Sequence, residues 1–166
     1  MNKNINKNNE RIRYVLFVSD GNMSGQLNQE AMQKVYDFVF SLEDINLYFK
    51  GHKDEINTIP ETVKQLEVYV PCELFLKYFD LVVSCFSSVM IYSIKIGIPT
   101  ISYIKLMKDS FYDKSLYTIW KNRLDSYGDG KILYPSSFVE LESMIRKINN
   151  KDEEHNEYIK IFNEYI

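Results

Sequence analysis

Short continuous runs of apolar, mostly β-branched residues alternate along this chain with longer stretches in which apolar residues return every third or fourth position. The runs are Tyr14–Val18, Leu47–Phe49 within Asn46–Lys50, Val68–Val70, Asp80–Cys85, Thr100–Ile104 and Lys131–Tyr134. A run without polar alternation is what a strand buried on both faces requires, and such strands occur in parallel sheets. Between them, residues 28 to 42 place Met32, Val35, Tyr36, Val39 and Phe40 on one helical face. Pro60 and Pro71 suit first helical turns and predict a short helix after Pro60 and a two-turn helix over Pro71–Phe79. Val89–Ile96 reads as a helix stopped by Gly97 with Pro99 beyond it. Ser137 with Glu140 forms a capping box that opens a helix running to about Ile148. A last helix from about Asp152 carries Tyr158, Ile161, Phe162 and Tyr165. After Lys105 the sequence is aromatic and less regular until Lys131. The pattern predicts an α/β fold, a Rossmann-like parallel sheet with helices on both faces.

At 166 residues and 45% hydrophobic, the chain can bury one sizeable core. Residues 1 to 11 read as a disordered tail, because nothing in them could offset the entropy of ordering; residues 12 to 166 form the domain. The formal net charge of -3 argues against a nucleic-acid partner. No apolar stretch reaches the ~18 residues of a membrane span, and MNKNINKNNER lacks the apolar run of a secretory signal, so a cytoplasmic location is expected. Cys72 and Cys85 form no C-x-x-C pair and read as buried reduced thiols rather than zinc ligands. No metal site is expected.

In sheets of this kind ligands bind beyond the carboxyl ends of the strands, where loops enter helices. The loop Ser19 to Gly25 matches neither G-x-x-x-x-G-K-[ST] nor G-x-G-x-x-G. Its Gly21 and Asn22 could still bring backbone N–H groups to a phosphate or sugar, or the loop could be a turn whose glycines supply positive φ. Lys50-Gly51-His52 joins a cation, a glycine permitting close approach and an imidazole at one strand end, a set able to contact phosphate through charge-assisted hydrogen bonds. Ser87 and Ser88 place two hydroxyls at a helix start, as an anion site or as an ordinary cap. Glu73, after Pro71, can compensate a helix dipole or accept hydrogen bonds from ribose hydroxyls.

In order and spacing, Asn46-Leu-Tyr-Phe-Lys-Gly-His52, Ile59-Pro60, Pro71-Cys-Glu-Leu-Phe75 and Ser87-Ser88 resemble the donor-binding half of bacterial GT-B sialyltransferases, which transfer sialic acid from CMP-sialic acid. The resemblance covers roughly residues 13 to 105, and departs from the family at Lys53, where a proline follows the histidine. More distantly the arrangement is similar to polysialyltransferases and CDP-glycerol glycerophosphotransferases. The resemblance implies a single GT-B half acting in capsule or lipooligosaccharide synthesis. It implies that His52, as the catalytic group, holds the cytidine nucleotide's phosphate together with Ser87 and Ser88. It further implies that Lys50 and Gly51 line the nucleotide pocket, that Glu73 binds the ribose, and that neither metal nor other cofactor is needed. The family's general base lies in a second Rossmann-like domain, which this chain is expected to lack, so the chain alone should be inactive.

Two other functions compete. A non-catalytic nucleotide- or glycan-binding module would keep the same pocket. A signalling receiver is suggested by Asp20 after the first strand and Lys105 after a later one, but the central strand ends in Cys-Phe-Ser-Ser, with no Asp to accept a phosphoryl group. If a GT-B half is correct, the edge bearing Gly21, His52, Glu73 and Ser88 should stay open. It should adjoin apolar surface from Phe111 to Trp120 and meet a second protein domain or another copy of the chain there.

Overall fold

The computed structural model describes residues 14–20, 26–74 and 76–149. The expected tail and last helix, and Gly21 and Asn22, lie outside the described residues. Ten principal elements follow one another: β1 (Tyr14–Val18), α1 (Gln29–Phe40), β2 (Asn46–Lys50), β3 (Lys64–Leu66), β4 (Leu81–Ser84), α2 (Val89–Lys95), β5 (Thr100–Ser102), α3 (Lys114–Tyr127), β6 (Ile132–Leu133) and α4 (Phe138–Asn149). The sheet has the order β3-β2-β1-β4-β5-β6, and every pairing is parallel. The chain therefore steps outward from β1 in one direction and, after β3, returns to build in the other. Right-handed crossovers place α1 and α2 on opposite faces, as the sequence predicts.

Each strong element follows from its residues. β1 and β4 are buried along their whole length, the reason both read as unbroken apolar runs. The Asn28 side chain accepts from the Ala31 amide at 3.1 Å and caps α1, whose Met32, Val35, Tyr36 and Val39 turn inward. Phe17 lies at the centre of the core, with the rings of Tyr36, Phe40, Phe49 and Tyr103 at 5.0 to 6.0 Å from its own. Gly97, at φ 77°, closes α2 in the left-handed conformation that glycine adopts freely. On α1's side of the sheet α4 packs beside it, with Phe38 and Phe138 4.9 Å apart between ring centres.

Four expectations are corrected. No helix follows Pro60: its carbonyl accepts from Val63 N at 3.0 Å in a turn, and the chain then enters β3. The third strand is Lys64–Leu66, not Val68–Val70. This is a sheet edge, where one side faces water and a polar sequence is suited, while Val68–Val70 forms a turn that leaves Tyr69 82% exposed. The helix expected over Pro71–Phe79 consists of two 3-10 turns, Cys72–Leu74 and Leu76–Tyr78. Finally, the stretch after Lys105 is regular: a 3-10 segment Ile104–Ser110 leads into α3, fourteen residues long and capped by Asp113, which accepts from Ser115 N at 2.9 Å.

Candidate functional site

At the carboxyl edge of the sheet the direction of building reverses between β1 and β4, and the loops that leave these two strands diverge. A crevice opens there, as it does at such switch points generally. It consists of two adjoining hollows, of about 440 and 390 Å³. Ser19, His52, Ser87 and Ser88 border both, and so form the wall between them. Lys50, Gly51 and Glu73 lie on the smaller hollow's side, and Trp120, Arg123 and Tyr127, from α3, on the larger one's.

The serine side of the wall is held in place by Asp20, a residue whose role the sequence does not display. The Asp20 carboxylate accepts from the Phe86 amide at 2.8 Å and the Cys85 amide at 3.1 Å, with the Ser84 hydroxyl at 3.3 Å. It thus ties the end of β1 to the loop leaving β4. Ser102 holds that loop from β5 by donating to the Cys85 carbonyl. Burial pushes the Asp20 carboxyl up to about 6, against the opposing pull of its hydrogen-bond donors, and the nearby Glu55 adds to the rise. Lys105 lies elsewhere, its ammonium 5.7 Å from the Tyr134 ring centre, so Asp20 is a structural clamp and not half of a receiver site.

With two loop amides committed to Asp20, the next two remain available. Among the described residues nothing accepts a hydrogen bond from the Ser87 or Ser88 amides. The Ser87 hydroxyl accepts from Val89 N at 3.3 Å, whereas the Ser88 side chain makes no capping bond and is exposed. The cap expected of this pair is therefore made by Ser87 alone. Opposite, the His52 Nδ1 accepts from the Asp54 amide at 3.2 Å. In the neutral ring that bond fixes the proton on Nε2, which becomes the donor.

The His52 loop is itself held from beneath. Glu55 accepts from the Ser19 hydroxyl, from the Tyr36 hydroxyl at 3.1 Å and from Asn57 N at 2.9 Å. Lys50 is 95% buried by its 5% exposure, and its ammonium donates to the Val68 carbonyl, which positions the turn that borders the smaller hollow. Glu73 is exposed within the first 3-10 turn. A Cβ on Gly51 would meet Phe49 Cε1 at 3.5 Å and Val68 Cγ2 at 3.7 Å, ordinary contacts, so packing within the chain does not demand glycine there. Both cysteines are buried and free, with burial raising their thiols, and no group of potential metal ligands occurs among the described residues.

In the larger hollow Phe86 and Trp120 stack with ring centres 4.8 Å apart and planes 21° from parallel, and the Arg123 guanidinium lies 5.0 Å from the Trp120 ring centre. Phe111 is buried behind them, whereas Tyr112 is 66% exposed. α3 was recognisable in principle from Asp113 as cap and from Leu116, Tyr117, Trp120 and Leu124 at helical spacing.

This architecture has solved counterparts. The chain is similar to the spinosyn rhamnosyltransferase SpnG in complex with spinosyn aglycone, with a TM-score of 0.56 at 14% identity over 92% of this chain and 41% of that one. The fold matches one half of a GT-B glycosyltransferase. A second counterpart is the wall teichoic acid polymerase TagF, with a TM-score of 0.57 at 12% identity, covering 93% of this chain and 38% of that one. A third is the glycotransferase of kitacinnamycin, with 0.51 at 16% identity over 92% and 39%. The chain thus spans about two fifths of the length of the solved structures it matches. At these identities the likeness is one of fold. No family model and no curated protein matches the sequence. No helix among the described residues is long and apolar enough to cross a membrane.

Proposed function

We propose that the chain is the nucleotide-sugar-binding half of a glycosyltransferase, with a CMP-sugar of the CMP-sialic acid type as donor. The donor phosphate lies between His52 Nε2 and the amides and hydroxyls of Ser87 and Ser88. The observation that carries this reading is that these three residues form the dividing wall of a two-chambered crevice at the sheet's switch point. The cytidine ribose occupies the smaller hollow, its diol on Glu73, with Gly51 leaving room for close approach. SpnG has been solved with thymidine diphosphate and TagF after a CDPG soak, which supports a nucleotide as the class of ligand.

Chemically, the phosphate gains charge as the bond to the sugar breaks. Donors fixed at its oxygens, here the His52 Nε2–H and the serine groups, stabilise that developing charge more than the ground state. The acceptor hydroxyl needs a base, which a second Rossmann-like domain facing the crevice supplies, and the completed enzyme works in the cytoplasm. The test is nucleotide binding. CMP should raise the melting temperature of the chain, and His52→Ala and Ser88→Ala should each weaken it by about 1.5–3 kcal/mol, the worth of a charge-assisted hydrogen bond. Unchanged affinity in both variants refutes the phosphate assignment.

A further inference from the structure

Resting on that phosphate placement, we propose that the larger hollow is the subsite for the moiety attached to the phosphate, and that Arg123 there pairs with an anionic substituent of it. A phosphate seated on the wall between two hollows directs one of its substituents into each. The nucleoside takes the chamber bearing Glu73, so the other substituent enters the chamber of α3.

What that chamber offers defines what it accepts. Buried Phe86 stacks against Trp120 at 4.8 Å and backs it, so that the half-buried indole gives the chamber an apolar wall for the carbon framework of a ring. Arg123 is the chamber's cationic side chain. Among the described residues it pairs with no carboxylate, and its guanidinium lies over the Trp120 ring at 5.0 Å. The indole holds the guanidinium without taking up its N–H donors, which stay open to a planar, two-oxygen partner. The chamber's acid, Asp20, does not compete, because the Cys85 and Phe86 amides and the Ser84 hydroxyl occupy its oxygens. A carboxylate on a sugar ring and a second phosphate share the required charge and geometry.

The chain's single tryptophan is Trp120, so its fluorescence reports occupancy of this chamber directly. CMP, CDP and CMP-N-acetylneuraminic acid would be titrated into the wild-type chain, Arg123→Gln and His52→Ala, with affinity and Trp120 emission both read. CMP should bind wild type and Arg123→Gln equally and leave emission unchanged. An anion-bearing ligand should shift the emission and lose about ten-fold in affinity in Arg123→Gln, the loss expected for a charge-assisted pair. A response to CDP alone identifies a second phosphate, and one to the CMP-sugar alone a carboxylate; either supports the proposal. If Arg123→Gln weakens CMP as much as the larger ligands, the base occupies this chamber and the proposal is wrong. It is equally wrong if Arg123→Gln leaves all three unchanged while His52→Ala weakens them. Indifference of every ligand to His52→Ala overturns the phosphate reading, and this one with it.

Discussion

Replacing Asp20 with asparagine should change how the stability of the whole domain depends on pH. The Asp20 carboxyl is raised from 3.8 in a model peptide to about 6 in the fold. The folded state therefore binds this proton more tightly than the unfolded chain does. Stability from this group is fully present below pH 3.8 and is lost as the pH rises through the window up to about 6, since there the folded form holds a proton that the unfolded form has released. At 1.36 kcal/mol per pH unit the loss across the window is about 3 kcal/mol. Asparagine does not titrate, so the wild-type advantage over Asp20→Asn should shrink by about that amount between the two limits. Above the window a separate effect of constant size operates. Oδ1 and Oδ2 each face a backbone amide, at 2.8 and 3.1 Å. An asparagine must turn its NH2 towards one of them and leave two donors opposed, at a cost of about 1–3 kcal/mol. Urea denaturation of both proteins in steps from pH 3.5 to 8 measures the difference. Parallel stability curves would refute the claim that the Asp20 carboxyl is desolvated in the fold and titrates within that window.

Three further outcomes follow from the geometry. The isolated chain should transfer no sugar to simple acceptors, as a positioned base contributes typically 10²–10⁴ in rate and none is assigned here; turnover by the purified chain, followed by release of CMP, would contradict this. Gly128→Ala should destabilise by about 2–4 kcal/mol, since the added Cβ would lie 2.5 Å from the Leu124 carbonyl oxygen and 2.6 Å from Ile132 Cδ1, whereas Gly130→Ala meets no atom within 4 Å and should cost only the ~1 kcal/mol of its positive φ; thermal unfolding of the pair checks the order. The surface carrying exposed Tyr112, on the segment that leads into α3, should bind a second domain or another copy of the chain, and Tyr112→Lys should weaken any self-association seen by sedimentation; association that Tyr112→Lys leaves unchanged places the contact elsewhere.

The parts of the fold visible in the sequence are those in which one residue's burial decides its type. β1 and β4 are buried on both faces and, Ser84 apart, hold only apolar side chains, Tyr14 among them; β5 is equally buried but carries Thr100 and Ser102, whose hydroxyls are hydrogen-bonded within the fold. β3 escaped notice because an edge strand of Lys64, Gln65 and Leu66 is held by its backbone ladder with β2, which no side-chain pattern reveals. α3 escaped for a related reason: Leu124 is its one buried residue, Leu116, Tyr117 and Trp120 are half-buried, and Ile119 and Tyr127 are exposed, so its apolar face is weakly marked. Of the wall, His52, Ser87 and Ser88 were legible because their types are uncommon after apolar strands. Asp20 stood out only as an acid at a strand end. Its partners are amides of Cys85 and Phe86, and amide direction is a property of the folded backbone alone.

The strand order has a consequence for how the chain comes off the ribosome. β1 precedes the other described strands and is a central one, and its two neighbours arrive at different times: Val15 pairs with Leu47 in β2 and with Leu81 in β4. At ~5–20 residues per second, the second neighbour follows by several seconds. During that interval the nascent chain carries an apolar strand with one open flank, a template for pairing with other nascent chains. Messages truncated before the codon for Leu81 should therefore yield insoluble products, and those continuing through Ser102, which supplies both β4 and β5, considerably less so.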